Sequence, residues 1–252
     1  DWRGTVMGKK YFTLSFDDGL EQDKKVLELM KKYGLRGTFN LNSGMFGLQG
    51  EVKGIGTFSF QDCEAGIRHH WPFSYVPHNR IPEDEIRDVY AQMEVATHGY
   101  RHEPLGKVND STMQRSVNQD KEILERLTGK QILGHAYAHG STSPAVEQHL
   151  KAQGYLYARA VLPSGGFGFP ENPLNFRPSS SVIMGNTMKL VKKFIEAEAD
   201  DRDLLLYLWG HSYEMDYGKG AASWDGLERL FAAVAGREDI IYCTNSEAFL
   251  RI

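Results

Sequence analysis

The chain has 252 residues, of which 41% are apolar, 12% aromatic and 25% charged. This is the composition of an ordinary globular protein, and no segment combines low hydrophobicity with high charge as disordered chains do. With 29 basic and 33 acidic residues the net charge is -4, which leaves no broad basic footprint for nucleic acid or anionic membrane. No apolar run approaches the ~20 residues that span a bilayer, so we predict a soluble protein whose compartment the sequence leaves open.

In its first half the chain alternates apolar runs with amphipathic segments. An apolar, β-branched run over 11–16 predicts a buried strand that ends at two aspartates and a glycine. Apolar residues at helical spacing over 22–33 predict the helix that follows, and Gly34 is placed to end it. The next predicted elements are a strand at 37–42, an irregular insertion at about 43–80, a helix at 82–93 with Pro82 in its first turn, and a strand at 94–97.

The second half keeps this alternation. Ser111, with Gln114 three residues later, has the spacing of a capping box, and Gly129 is placed to end the helix that it opens. Gly, Pro, Asn and Ser are frequent over about 162–186, which indicates a long surface loop of a kind that is often functional. The remaining predictions are strands at 132–137, 155–161, 204–209 and 240–244, helices at 143–154, 187–199 and 224–235, and a short terminal helix capped by Ser246.

About seven βα units follow from this series, so we predict an α/β fold built on a parallel sheet. Closing that sheet into a barrel would gather the strand ends on one rim, where such folds place their chemistry. No linker interrupts the series, and we therefore predict a single domain over 1–252 with the insertion over the same rim. Cys63 and Cys243 could form one disulfide or none, because pairing depends on geometry.

Two carboxylates and two imidazoles follow predicted strands. Asp17 and Asp18 are adjacent, and their side chains can have different roles, although an isolated Asp pair more often caps a helix. His98 and His102 are four residues apart, which on a helical turn places both within reach of one ion; the alternative is two surface or hydrogen-bonded histidines. Two histidines and a carboxylate make a three-ligand set with open positions, so together these residues suggest a catalytic divalent metal.

His211 follows the apolar run at 204–209 and is expected on the same rim. It could act as a general acid, or it could be a packed histidine whose ring is satisfied by neighbours. The position of His211 in the sequence supports the two interpretations equally.

Three motifs resemble those of the polysaccharide deacetylases of the NodB-homology type, also called carbohydrate esterase family 4. The segment 11–42 is similar to the family's opening strand, TFDDG-type motif, helix and second strand, 94–105 resembles its H-x-x-x-H motif, and 206–211 resembles its L-x-H motif. The resemblance implies a distorted (β/α)7 barrel. It also implies that Asp17 is the catalytic base, that Asp18, His98 and His102 bind the metal, and that His211 is the general acid.

The third motif of this family, R-x-P-Y-like, departs from the pattern. The corresponding segment His135–Gly140 has neither the Arg nor the Pro. In the family that Arg pairs with the catalytic Asp; here Arg159 or Arg177 could replace it, and we favour Arg159, the alternative for each being a surface salt bridge. Within the segment, the candidates for contact with the substrate or for stabilising the oxyanion are Tyr137, His139 and Gly140.

The resemblance implies a metal-dependent deacetylase acting on N-acetylated or, less favoured, O-acetylated carbohydrate. Zinc is the first choice of metal, with cobalt, nickel or manganese as others, and Trp71, Phe73 and Tyr75 are candidates for stacking against sugar rings. One alternative is a hydrolase of a small non-peptide amide or imide on the same barrel, since a fold does not fix a substrate. The other, motivated by the altered third motif, is a non-catalytic carbohydrate-binding homologue.

Overall fold

The structure, a computed structural model, describes residues 8–53 and 75–252. Strands and helices alternate along the chain, as predicted. The strands are β1 (Lys10–Asp17), β2 (Gly37–Leu41), β3 (Glu51–Lys53), β4 (Tyr75–Pro77), β5 (Glu94–Thr97), β6 (Gly134–Ala136), β7 (Tyr157–Arg159), β8 (Ser180–Ser181), β9 (Leu204–His211) and β10 (Ile240–Tyr242). The α-helices are α1 (Asp23–Tyr33), α2 (Ile86–Val89), α3 (Asp110–Thr128), α4 (Pro144–Ala152), α5 (Thr187–Glu196), α6 (Trp224–Val234) and α7 (Asn245–Leu250).

The main sheet is parallel and curls around β1. Its strand order is β7-β6-β5-β2-β1-β9-β8, and β10 pairs with the beginning of β1. The segment 173–181 joins the two edges, because Phe176 pairs with Arg159 of β7 and β8 pairs with β9. The predicted α/β architecture with a parallel, barrel-like sheet is thereby confirmed. The hairpin β3–β4 is separate and antiparallel.

Strand β1 shows how the sequence positions the site. All eight of its residues are buried, and successive side chains point to opposite faces. Phe12, Leu14 and Phe16 pack in the large outer core, which also contains residues of the helices. Tyr11 belongs to a second cluster on the inner face of the sheet. The alternation therefore brings Asp17 to the inner face, at the carboxyl end of the strand.

Three predicted helix starts or ends are wrong, for local reasons. The helix predicted at 82–93 is reduced to a 3-10 turn at Glu83–Glu85 and the four residues of α2, because Tyr90 leaves the helical conformation. Helix α3 is capped by Asn109, whose side chain accepts the N–H of Thr112, and not by Ser111.

At the carboxyl end, Thr244 and Glu247 form the capping box of α7, and Ser246 lies inside the helix. The loop predicted at 162–186 contains the two-residue strand β8. No helix in residues 8–53 and 75–252 is long and apolar enough to cross a membrane.

Some predicted residues lie outside the described part of the chain. These are Cys63, Trp71 and Phe73. Within the described part, Tyr75 is exposed on β4, and Cys243 carries a buried free thiol. A single domain over all 252 residues and the pairing of the two cysteines stay predictions.

Candidate metal centre and active site

The candidate site lies where β1, β2 and β9 end. In the parallel register, Asp17 of β1 is the partner of His211 on β9 and of Asn40 on β2. Neighbouring strands lie ~4.8 Å apart, so the register alone holds these three residues together on one rim. Asp18 follows directly, with a φ of 84°.

Asp17 is buried and accepts hydrogen bonds from two side chains. Arg159 Nη2 lies 2.6 Å and 2.5 Å from its two carboxylate oxygens, and Asn40 Nδ2 lies 2.8 Å from Oδ1. Burial raises the pKa of this carboxyl, but the positive charge of Arg159, with further contributions from His211 and from the Arg159 hydrogen bond, outweighs burial and holds the pKa below its ordinary value. Asp17 is therefore ionised at neutral pH and able to accept a proton.

Of the two arginines considered from the sequence, Arg159 is the one that contacts Asp17. It is fully buried at the end of β7, and its guanidinium lies over the ring of Trp209 with Cζ 4.3 Å from the ring centroid. Arg177 instead donates to the carbonyls of Pro163 and Leu162 on the surface. The pairing is thus present in the structure, and a catalytic role for Arg159 stays a prediction.

Asp18, His98 and His102 form a group able to hold a metal ion, with ligand atoms all within 4.8 Å of one another. Asp18 Oδ1 lies 3.8 Å from His98 Nε2 and 3.7 Å from His102 Nε2. His98 donates its Nδ1–H to the carbonyl of Ala136 at 2.7 Å, which leaves the buried Nε2 with a lone pair and no hydrogen-bond partner. This is the arrangement of a metal-ligating histidine, so the residues fit a divalent cation.

Both histidines are suited to bind a metal in their neutral form. Burial first, and then the neighbouring His98, lower the pKa of His102 to about 3. Burial also lowers the pKa of His98. A neutral imidazole is the form that donates a lone pair to a cation.

The two histidines come together through a tight turn and not through the helical turn that their spacing predicted. His98 follows β5, Gly99 has a φ of 83°, and His102 has a φ of 59° with its N–H bonded to the Gly99 carbonyl. Asp120 of α3 accepts the backbone N–H of His98, and Asn42 donates to the His98 carbonyl. The turn is therefore fixed by buried polar contacts from two other elements.

Sequence reasoning missed two residues that contact Asp18. His78 Nε2 lies 3.2 Å from Asp18 Oδ2, and Arg80 donates to both the carboxylate and the backbone carbonyl of Asp18. These two side chains lie beside Asp18 because Arg80 pairs antiparallel with Leu20 and the Glu21 N–H donates to the Asn79 carbonyl. Nothing in the periodicity of the sequence signals this pairing.

His211 is paired with a carboxylate of its own turn. Glu214 Oε1 lies 3.3 Å from His211 Nδ1, and Glu214 Oε2 accepts the backbone N–H of His211 at 2.9 Å. Burial lowers the pKa of His211, but the charge and contact of Glu214, then the charges of Asp18 and Asp17, outweigh it and raise the pKa to about 9. A Cβ at Gly210 would lie 2.6 Å from Val182 Cγ2 and 3.3 Å from Glu214 Oε2, so glycine leaves room for both side chains.

The segment 135–140 contains the residues predicted to contact the substrate or stabilise the oxyanion, and those roles stay predictions. The ring of His135 is buried beside Thr97 Oγ1, and the Tyr137 hydroxyl donates to the Leu174 carbonyl. The N–H groups of Tyr137 and Gly140 are bonded to the carbonyls of Arg159 and Tyr137, so neither is free for a substrate. The ring of His139 alone in this segment lies against a predicted metal ligand, 4.5 Å from the ring of His102 by centroid.

Comparison with known proteins agrees with this combination of fold and site. The Polysaccharide deacetylase family matches residues 5–158, which is more than half of the chain. The chain therefore belongs to the polysaccharide deacetylase family, and the predicted resemblance is confirmed. No curated protein matches the chain.

Solved structures share the fold at low sequence identity. The Puue allantoinase has a TM-score of 0.60 at 16% identity, over 99% of this chain and 91% of that one. A family 4 acetyl xylan esterase from Clostridium thermocellum, in complex with a cobalt ion, has a TM-score of 0.53 at 13% identity, over 96% and 91%. A CE4 family pseudoenzyme from Bacillus anthracis has a TM-score of 0.53 at 11% identity, over 96% and 66%. The chain spans only 40% of the length of a polysaccharide deacetylase from Bacillus cereus, with 19% identity and a TM-score of 0.43.

Proposed function

We propose that this protein is a metal-dependent hydrolase that removes acetyl groups from N-acetylated or O-acetylated carbohydrate. The observation that carries the proposal is the metal-ligand group of Asp18, His98 and His102 immediately beside a buried, ionised Asp17 that faces His211. Family membership supports acetylated carbohydrate as the substrate class.

A divalent cation held by Asp18, His98 and His102 would supply Lewis-acid chemistry, polarising the acyl carbonyl and making water more acidic. Zinc suits one carboxylate and two imidazoles, and cobalt, nickel and manganese are the other candidates. The orphaned Nε2 of His98 is the strongest support for a cation, because a buried lone pair without a partner is costly.

Asp17 is the proposed base. Its carboxylate stays ionised because Arg159 and Asn40 hold it, and its Oδ2 lies 3.8 Å from His98 Nε2, next to the ligand group. A proton taken from the attacking water would therefore move to a group already fixed in position.

His211 is the proposed general acid. Its raised pKa keeps the imidazole protonated at neutral pH, so it has a proton to give to the leaving amine or alcohol. Its register pairing with Asp17 puts acid and base on adjacent strands, which suits a reaction that needs both.

The two alternatives keep some support. An allantoinase and a pseudoenzyme share this fold, and a fold alone does not fix a substrate or an activity. Against a purely binding role stands the retention of both proton-transfer residues, Asp17 and His211, in buried and charge-tuned surroundings.

The test is acetate release from N-acetylglucosamine oligomers, acetylated xylan and peptidoglycan, with succinimide as a small imide. The protein is stripped with chelator and then reloaded with zinc or cobalt. We expect acetate release that disappears on stripping and returns on reloading. Turnover of the imide alone would favour the small-amide hydrolase, and no turnover with one bound metal per chain would favour the binding protein.

The variant Asp17→Asn tests the base. It keeps the shape of the side chain, and we expect kcat to fall about 10²–10⁴-fold because the proton acceptor is lost. Bound metal, measured by elemental analysis, should stay at the wild-type ratio. Asp201→Asn, in an exposed loop before β9, is the matched control and should keep full activity. Unchanged hydrolysis by Asp17→Asn would contradict the assignment.

A further inference from the structure

The candidate metal centre takes its ligands from two separate segments of the chain. Asp18 follows β1, whereas His98 and His102 belong to the turn after β5. In the sheet β2 lies between these two strands, so the residue that follows β2 stands between the two ligand-bearing segments. That residue is Asn42, and its side chain is fully buried.

The amide of Asn42 makes three hydrogen bonds. Its Nδ2 lies 2.7 Å from the carbonyl oxygen of His98 and 2.7 Å from that of Gly99, so both of its N–H groups donate to the turn that carries the histidines. Its Oδ1 accepts from Nη1 of Arg80 at 2.6 Å. A buried amide whose donors and acceptor are all bonded is held in one orientation.

The guanidinium of Arg80 continues this network to Asp18. Its Nη1 also donates to the backbone carbonyl of Asp18, and its Nη2 lies 3.2 Å from Asp18 Oδ1. The side chain of Arg80 is only 4% exposed. Asn42 and Arg80 therefore form one buried link from Asp18 to the turn of His98, which we call the Asn42–Arg80 bridge.

The bridge bonds the carbonyls of two residues with a left-handed backbone conformation. Asp18 has a φ of 84° and Gly99 has a φ of 83°. This conformation strains a residue with a Cβ, such as Asp18, and persists where the surrounding contacts impose it. Glycine adopts it without strain but has many other conformations available. The bridge thus holds the two ligand segments at points where the backbone would otherwise relax.

We propose that Asn42 is a positioning residue of the metal centre: through Arg80 it sets the separation between Asp18 and the turn of His98 and His102. The inference rests on the proposed function, of which it uses only the metal centre. Ligands that are already in place bind a cation more tightly, because less ordering is left to occur on binding. Losing a residue that orients metal ligands typically weakens metal binding about 10–100-fold.

The variant Asn42→Ala removes the bridge without changing a charge. When the chelator-stripped protein is titrated with zinc, we expect the Kd to rise about 10–100-fold. The visible absorption of bound cobalt should also change, because it depends on the arrangement of the ligands. A residue that served folding alone would leave the zinc Kd and the cobalt spectrum as in the wild type.

Asn245→Ala is the matched control. Asn245 is also fully buried; its Nδ2 donates to Thr13 and to the Leu14 carbonyl, and its Oδ1 accepts from Tyr207. Both variants leave buried polar groups unpaired, so the melting temperature of the stripped protein should fall by similar amounts. The zinc Kd of Asn245→Ala should stay within about twofold of the wild type, because its contacts are remote from the ligands.

The variant Arg80→Lys separates the bridge from the charge. Lysine keeps a positive charge beside Asp18, but its ammonium lacks the planar fork that reaches Asp18 and Asn42 together. We expect the zinc Kd to rise about as much as in Asn42→Ala. In the double variant the Kd should lie within about threefold of either single variant, because both substitutions break the same bridge.

The outcomes separate this inference from the proposed function. An active wild type whose zinc Kd is unchanged in Asn42→Ala, or losses that multiply in the double variant, would overturn the inference and leave the deacetylase intact. If Asn42→Ala does not fold, Arg80→Lys decides, and a wild-type Kd in that variant would overturn the bridge. The expected changes in Kd without hydrolysis of any substrate would overturn the proposed function alone. A wild type that binds neither zinc nor cobalt would overturn both.

Discussion

The pairing of His211 with Glu214 makes the protonation of one residue depend on another. Glu214 contributes most to raising the pKa of His211 to about 9, against the effect of burial. A general acid works while protonated, so kcat/KM should fall as the pH rises through the pKa of His211. In Glu214→Gln the negative charge is gone, and we expect this alkaline limb to move down by about 1 pH unit or more. The measurement is kcat/KM from pH 6 to 10 for both proteins.

Asp216→Asn is the control for this prediction. Asp216 lies two residues from Glu214, but its carboxylate accepts from Trp224 Nε1 and Gln22 Nε2 and does not contact His211. The alkaline limb of the kcat/KM profile of Asp216→Asn should coincide with that of the wild type. An unshifted limb in Glu214→Gln would show that His211 is not the titrating acid.

The residues that carry the site could be found from the sequence where a strand end delivers them. Asp17, Asp18 and His211 directly follow or end apolar runs, and a parallel sheet gathers such ends on one rim. His78 and Arg80 could not be found from the sequence, because their contacts with Asp18 depend on an antiparallel pairing between distant segments. Glu214 follows His211 by three residues, and its two contacts with His211 depend on the turn after β9, which apolar periodicity does not predict.

Helix α3 supports the site through its Asp120, so its stability matters to the turn that carries His98. The Asn109 side chain accepts the Thr112 N–H, and removing such a cap costs about 1 kcal/mol. We expect Asn109→Ala to lower the free energy of unfolding by about that amount in urea denaturation. Ser111→Ala should change it by under ~0.5 kcal/mol, because Ser111 is exposed and only donates to Asn109. A larger loss of stability in Ser111→Ala than in Asn109→Ala would show that Ser111 is the cap.

Apolar periodicity in the sequence predicted the alternation of strands and helices. It did not predict the residues at which these elements begin and end. Asn109 and Ser111 both suit a helix start, and only the backbone conformation distinguishes them. The prediction of a helical turn between His98 and His102 was wrong, because a spacing of four residues suits a helix and a tight turn alike. β8 has two residues, too few for any periodic signal.

Metal binding should stabilise the whole molecule if the ligand group is used. A ligand that binds only the folded state at 100 times its Kd adds about 2.7 kcal/mol. For a chain of this size that corresponds to a rise in melting temperature of about 5–10 °C. Calorimetry of stripped protein with and without zinc measures it, and His102→Asn, which removes one ligand, should lose most of the rise. A wild type indifferent to zinc would contradict the predicted ligand set.

The central place of β1 in the sheet has a consequence for the chain during its synthesis. On one edge β1 pairs with β2 along its second half and with β10 along its first three residues, while β9 covers the whole of the other edge; the ribosome makes β9 and β10 much later. Until Leu204–His211 has emerged, the nascent chain carries an apolar strand with an open edge, a site for wrong pairing. The same delay keeps Asp17 and His211 apart, so the proposed base and the proposed general acid meet only after β9 has been made.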